Sequence, residues 1–108
     1  MGEWIMTLTQ WVYILASARN GTLYIGSTGD LVLRLIEHRS GQGSAFVRRY
    51  GVFTLVYFEA AASVEDALHR EHQLKRWRRS WKLELIEAMN PDWLDLTDRF
   101  RDVVGHDY

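Results

Sequence analysis

The stretch Trp11 to His38, WVYILASARNGTLYIGSTGDLVLRLIEH, sets the organisation of this chain. Two short apolar runs, Trp11 to Ala16 and Leu23 to Ile25, flank an Asn20-Gly21 pair, and helical spacing follows at once. Such a pair between apolar runs is a strong local signal for a hairpin, so the order reads as a hairpin feeding a helix. Nearly every residue from Trp11 to Ala16 is apolar or aromatic, as in a strand covered on both faces. In the next run Tyr24 and Gly26 alternate with Leu23 and Ile25. If Tyr13 and Tyr24 stand nearly opposite each other, both phenols leave the same face, but the loop leaves the register open.

Gly26 to Asp30 reads as a turn that ends in an N-cap, and Leu31 to Arg39 then carries the stripe Leu31, Val32, Leu35 and Ile36. Arg34 and His38 stand four apart and share the face of Leu31 and Leu35. Two glycines in Ser40 to Ser44 stop that helix, and Ala45 to Tyr50 predicts a short one before Gly51. Phe53 to Ala60 is β-branched and aromatic enough for a third strand, and its apolar character predicts a central place.

A further helix is expected from the N-cap Ser63 to about Ser80, with Val64, Ala67, Leu68, Leu74, Trp77 and Trp81 facing inward. Glu71 falls on that stripe, where the pattern calls for an apolar residue. Burying an unpaired carboxylate costs several kcal/mol, about the worth of a strong charged pair, so Glu71 must meet a cation or a hydrogen-bond network. The plain structural alternative is a buried pair with Arg34. A short helix over Ser80 to Met89 ends at Asn90-Pro91, and Trp93, Leu96 and Phe100 then lay a last helical segment on the body.

With 108 residues the expectation is one α+β domain over 1–108, its core at about 11–90 and a helical tail over 91–108. No apolar run reaches the ~18 residues of a membrane span, and the acidic start around Trp4, Ile5, Met6 and Leu8 lacks the charged region of a secretory signal. An intracellular, cytoplasmic protein is therefore expected. The absence of cysteine excludes disulfides, thiolate metal sites and a cysteine nucleophile. A net charge of -1 hides an asymmetry. Arg70, Lys75, Arg76, Arg78, Arg79 and Lys82 face one acid, Glu71, for a local balance of +5, whereas the segment after Pro91 carries -3. The basic block is a candidate phosphate-binding surface, or simply a solvated helix face.

The ordered residues resemble the GIY-YIG nucleases, in particular the small stand-alone type, over about residues 11 to 96. Val12-Tyr13 stands where the first motif ends, Tyr24-Ile25-Gly26 matches the second letter for letter, and Arg34, His38, Glu71 and Asn90 follow in the expected order. Trp11-Val12-Tyr13 replaces Gly-Ile-Tyr, and Ser27 stands where some members carry a lysine. The resemblance implies a small three-stranded antiparallel sheet flanked by helices and a metal-dependent endonuclease acting on DNA in repair or processing. It implies one Mg²⁺ or Mn²⁺ ion, with Glu71 as its single protein ligand. Arg34 would hold the scissile phosphate, and Tyr13 or Tyr24 would orient and deprotonate the attacking water. His38 would hydrogen-bond a phenol or the phosphate, and Asn90 would orient the glutamate or the substrate. Two alternatives stand beside this reading. One is a non-catalytic nucleic-acid-binding module that stacks bases on Trp77 or Trp81. The other is a nuclease subunit whose acidic tail and Trp93 dock a protein partner that supplies specificity.

Overall fold

A computed structural model of the chain describes residues 9–105; the acidic start with Trp4 to Leu8, and the last residues to Tyr108, lie outside that range. Strand β1, Gln10–Ala16, is almost wholly apolar because it is the middle of a three-stranded sheet with order β2-β1-β3. Strands β2, Leu23–Thr28, and β3, Thr54–Ala61, flank it antiparallel. The hairpin turn forms where expected: Asn20 takes a positive φ of 58°, and Gly21 N–H donates to the Ala18 carbonyl.

Helices cover both faces of the sheet, giving an α+β fold in three layers. Under one face lie α1, Leu31–Arg39, α2, Ala45–Tyr50, and α5, Thr97–Val104, packed on Tyr13, Leu15, Leu55 and Phe58. Under the other lie α3, Val64–Arg76, and α4, Arg79–Met89, packed on Val12, Ile14, Ile25 and Val56. This double covering explains why β3 is so apolar although it is an edge strand, not the central one its composition predicts. Its register against β1 shifts between Ile14 and Leu15, a β-bulge that helps β3 serve both cores.

The caps read from sequence are in place: Asp30 accepts from Leu33 N–H at 3.0 Å and Ser63 from Asp66 N–H at 3.0 Å. Other details differ. Ile36 is exposed, and α3 buries only Ala67 and Leu74, leaving Val64 and Leu68 at the surface. The helix expected to reach Ser80 stops at Arg76, because Trp77 and Arg78 take extended backbone before α4 begins. Phe100 and Leu96 pack in the first core and Trp93 in the second, so the segment after Pro91 docks as expected. Arg39 pins it, donating to the Phe53 carbonyl, Asp95 and Thr97. Among the described residues no helix is long and apolar enough to cross a membrane.

Candidate active site

In the β1–β2 register Tyr13 stands opposite Gly26, and Tyr24 opposite Leu15. The two tyrosines are thus diagonal neighbours on one face, ring centroids 6.3 Å apart, rather than directly opposed. Gly26 is what lets Tyr13 lie flat against β2, since a Cβ there would stand 2.6 Å from the phenol oxygen. Helix α1 runs below and brings up His38, which is buried and lies 3.0 Å from the Tyr13 hydroxyl through Nε2. Ser44 N–H lies 3.5 Å from His38 Nδ1, which favours the tautomer whose Nε2–H donates to Tyr13. Gly43 makes room for this arrangement, because a Cβ on it would meet Nδ1. Neither Gly43 nor the cross-strand role of Gly26 was visible in the residue spacing.

Burial, reinforced by Tyr24 and Glu71 and opposed by Arg34, pushes the Tyr13 phenol well above its ordinary range. Tyr13 therefore keeps its proton at neutral pH. Burial and the nearby Arg34 cation pull His38 below its ordinary value, so its ring is neutral there. Arg34 is half exposed, 43% of its side chain open to solvent, and among the described residues its only ion pair is a long 3.5 Å contact with Glu37 one turn on. It is not the partner of Glu71.

Glu71 on α3 is held from two sides. Ser27 Oγ–H donates to Oε1 at 2.6 Å, and Lys75 Nζ lies 2.6 Å from Oε2. Its side chain is 13% exposed at the edge of β2, so the carboxylate is sheltered but reachable. The Arg34 pair anticipated from sequence is replaced by Lys75 because i,i+4 spacing puts that ammonium on the same face of α3. Lys75 and Lys82 also line a shallow pocket of 270 Å³ together with Leu23, Tyr24, Ile25 and Phe46. Burial and the neighbouring Arg79 lower the Lys82 pKa from its ordinary value. Among the described residues no three His, Asp or Glu gather as a ready-made metal cluster.

Two other members of the basic block are engaged within the fold. Arg70 forks onto Glu59, at 2.9 and 3.2 Å, Tyr57 donates to the same carboxylate, and the guanidinium stacks over Trp77. Arg79 donates to the Asn20 and Gly21 carbonyls and so closes the hairpin turn onto α4. Both guanidinium groups thus help hold the fold together, and Arg79 stays exposed at the surface. Arg76 and Arg78 are exposed; a guanidinium lies over the rings of both Trp77 and Trp81, and Trp81 stays 45% exposed.

Asn90 meets the backbone. It is buried, its amide donating to the Val56 and Leu94 carbonyls while its Oδ1 accepts from Leu94 N–H. These three hydrogen bonds tie the Asn90-Pro91 turn to β3 and to Leu94. Asn90→Ala should cost about 2–3 kcal/mol, because the carbonyls and N–H it serves lose their partners. Thermal denaturation should show a melting point lower by about 10 °C; an unchanged one would show that water replaces the amide without loss.

Comparison with known proteins agrees with this geometry. Residues 9–84 match the GIY-YIG catalytic domain. The chain belongs to the GIY-YIG family. It is 39% identical over 77 residues to a UPF0213 protein of Bacillus pumilus, covering 71% of this chain and 78% of that one. It is 40% identical over 76 residues to a UPF0213 protein of Pseudomonas aeruginosa, covering 70% and 73%. An NMR structure of a UPF0213 protein from Bacillus halodurans superposes with a TM-score of 0.51 at 32% identity, over 84% of this chain and 96% of that one. The fold is thus the nuclease-type fold of the GIY-YIG family, and the face of β2 that carries its second motif is the face that gathers Tyr13, Tyr24 and His38.

Proposed function

We propose that the chain is a metal-dependent endonuclease that hydrolyses DNA phosphodiester bonds, with a place in DNA repair or processing. The observation that carries this reading is the sheltered carboxylate of Glu71, held by Ser27 and already faced by a cation, within electrostatic reach of the Tyr13 phenol that Arg34 also influences. A hard divalent cation such as Mg²⁺ or Mn²⁺ suits this donor, since such ions accept one carboxylate and fill the rest of their shell with water and phosphate oxygens. When bound at Glu71 the ion supplies positive charge to the phosphate oxygens.

The chain's own residues have distinct tasks. Arg34, half exposed and weakly paired, is free to swing onto the scissile phosphate, where its planar fork matches two oxygens and offsets the charge that builds there. Tyr24 lines the open pocket and is the phenol that a water can reach; it orients and deprotonates that water, whose oxygen bonds to phosphorus as the P–O bond to the leaving strand breaks and the leaving oxygen takes up a proton from solvent. Tyr13, buried and protonated, is a positioning group that seats the Tyr24 ring and fixes His38. No covalent intermediate is needed.

Nicking of supercoiled plasmid at low salt with Mg²⁺, Mn²⁺ or EDTA tests the reading. Cutting should require the metal, and Arg34→Ala should slow it by about 10²-fold. Metal-independent cutting, or none, would overturn it. The Lys75 pair, which satisfies Glu71 without a metal, favours the second reading of a non-catalytic nucleic-acid-binding module, and absence of cutting with DNA binding intact would select that one.

A further inference from the structure

Helix α2 presents an unusual surface beside the site. Phe46 and Tyr50, four residues apart, are 44% and 49% exposed, while Val47 between them is fully buried and anchors the helix. Their rings lie 4.8 Å apart, and Phe46 in turn lies 6.3 Å from Tyr24. A ladder of aromatic rings therefore climbs from the buried Tyr13 through Tyr24 and Phe46 to Tyr50 at the surface. Burying a large aromatic ring is strongly favourable, so two neighbouring rings left half open beside a polar site are costly unless something covers them.

The surroundings identify what covers them. Phe46 shares its pocket with Lys75 and Lys82, and Arg49 lies 5.5 Å over the Tyr50 ring. Among the described residues no acid lines that pocket, although Glu71 stands 2.6 Å behind Lys75. Open rings among cations match a polyanion that also carries flat apolar faces, which is the chemistry of a nucleic-acid strand. The bases of a duplex show only their edges to a protein, since their faces are covered by neighbours above and below. A ring can stack only on a base that is unpaired, at a frayed end, a tail or a single strand.

We infer that Phe46 and Tyr50 form a stacking platform for unpaired DNA bases beside the pocket of Tyr24, Lys75 and Lys82, so that the substrate is single-stranded DNA or a single-stranded segment of a larger DNA. This inference rests on the nuclease reading for the position of the scissile phosphate. Binding to the platform itself does not depend on cleavage, and the test is therefore run in EDTA.

Fluorescence anisotropy compares a labelled single-stranded DNA, the same sequence as RNA, a blunt duplex, and a duplex with a single-stranded tail. The wild type should bind the single strand and the tailed duplex more tightly than the blunt one. Phe46→Ala and Tyr50→Ala should each weaken single-strand binding by about tenfold and leave duplex binding nearly unchanged, and Phe46→Trp should restore it. Both positions are half exposed, so the variants should melt as the wild type does. Equal losses on single strand and duplex, no loss on either, tighter binding to RNA than to DNA, or no binding by the wild type would each overturn the inference. Platform-dependent binding without any cleavage when Mg²⁺ is restored would defeat the nuclease reading alone. Cleavage indifferent to Phe46 and Tyr50 would defeat the platform alone.

Discussion

Glu71→Gln is expected to reduce metal-dependent nicking by about 10³-fold while leaving the fold intact. The amide keeps the shape of the carboxylate, and its oxygen can still accept from Ser27 Oγ–H, which is 2.6 Å away in the native protein. What disappears is the negative charge, and with it the affinity for a hard cation. The lost pair with Lys75 costs little stability, because that ammonium is half exposed and such pairs are worth about 0–1 kcal/mol. DNA binding in EDTA should hold or tighten, since a negative charge is removed from beside the phosphate and Lys75 is released to meet it. Nicking at an undiminished rate by the variant would remove Glu71 from the chemistry. A wild type that binds DNA with no nicking, and a variant that does the same, would assign the carboxylate to the α3 surface.

The three strands, the hairpin turn and the caps at Asp30 and Ser63 were legible because each rests on local chemistry, in a left-handed turn residue, a side-chain oxygen at a helix start, or period-two alternation. The place of β3 in the sheet was not, because an apolar strand reports that both faces are covered and does not say which neighbour it pairs with. For the site, Tyr13, Tyr24 and His38 came together as their order implied. Partner choice was less visible. Glu71 meets Lys75 and Ser27, Arg70 meets Glu59, and Asn90 meets the backbone of Val56 and Leu94. Apart from Glu71–Lys75 and Asn90–Leu94, each four residues apart, these contacts cross from one element to another, so only the tertiary arrangement decides them. The run of bases from Arg70 to Lys82 looked continuous for the same reason, since linear charge density does not reveal that α3 and α4 break at Trp77 and turn their cations to different tasks.

Gly26→Ala should damage both stability and cleavage, and the reason lies across the strand pair. Gly26 pairs directly with Tyr13, and a Cβ built on it would stand 2.6 Å from the Tyr13 hydroxyl oxygen and 2.8 Å from Cζ, closer than real Cβ atoms approach. The backbone at Gly26 has no positive φ, so alanine itself is conformationally acceptable there, and the whole effect comes from space. A flexible side chain could yield, but the Tyr13 ring is 1% exposed and fixed by the first core and by His38. Overpacking of this kind costs about 1–3 kcal/mol. The ring must tilt away from β2, which breaks the 3.0 Å contact with His38 Nε2 and shifts the Tyr24 ring that rests beside it. Displacement of about 1 Å at a reacting centre is worth about 10²-fold in rate, and nicking should fall by that much. Thermal melting and nicking measured on the same preparation separate the two effects. Tyr13→Phe provides the comparison, because it keeps the ring on Gly26 and removes only the hydroxyl. If Gly26→Ala melts and cuts like the wild type, the phenol does not depend on its seat over β2, and the glycine of the Tyr24-Ile25-Gly26 motif must be explained by something other than Tyr13.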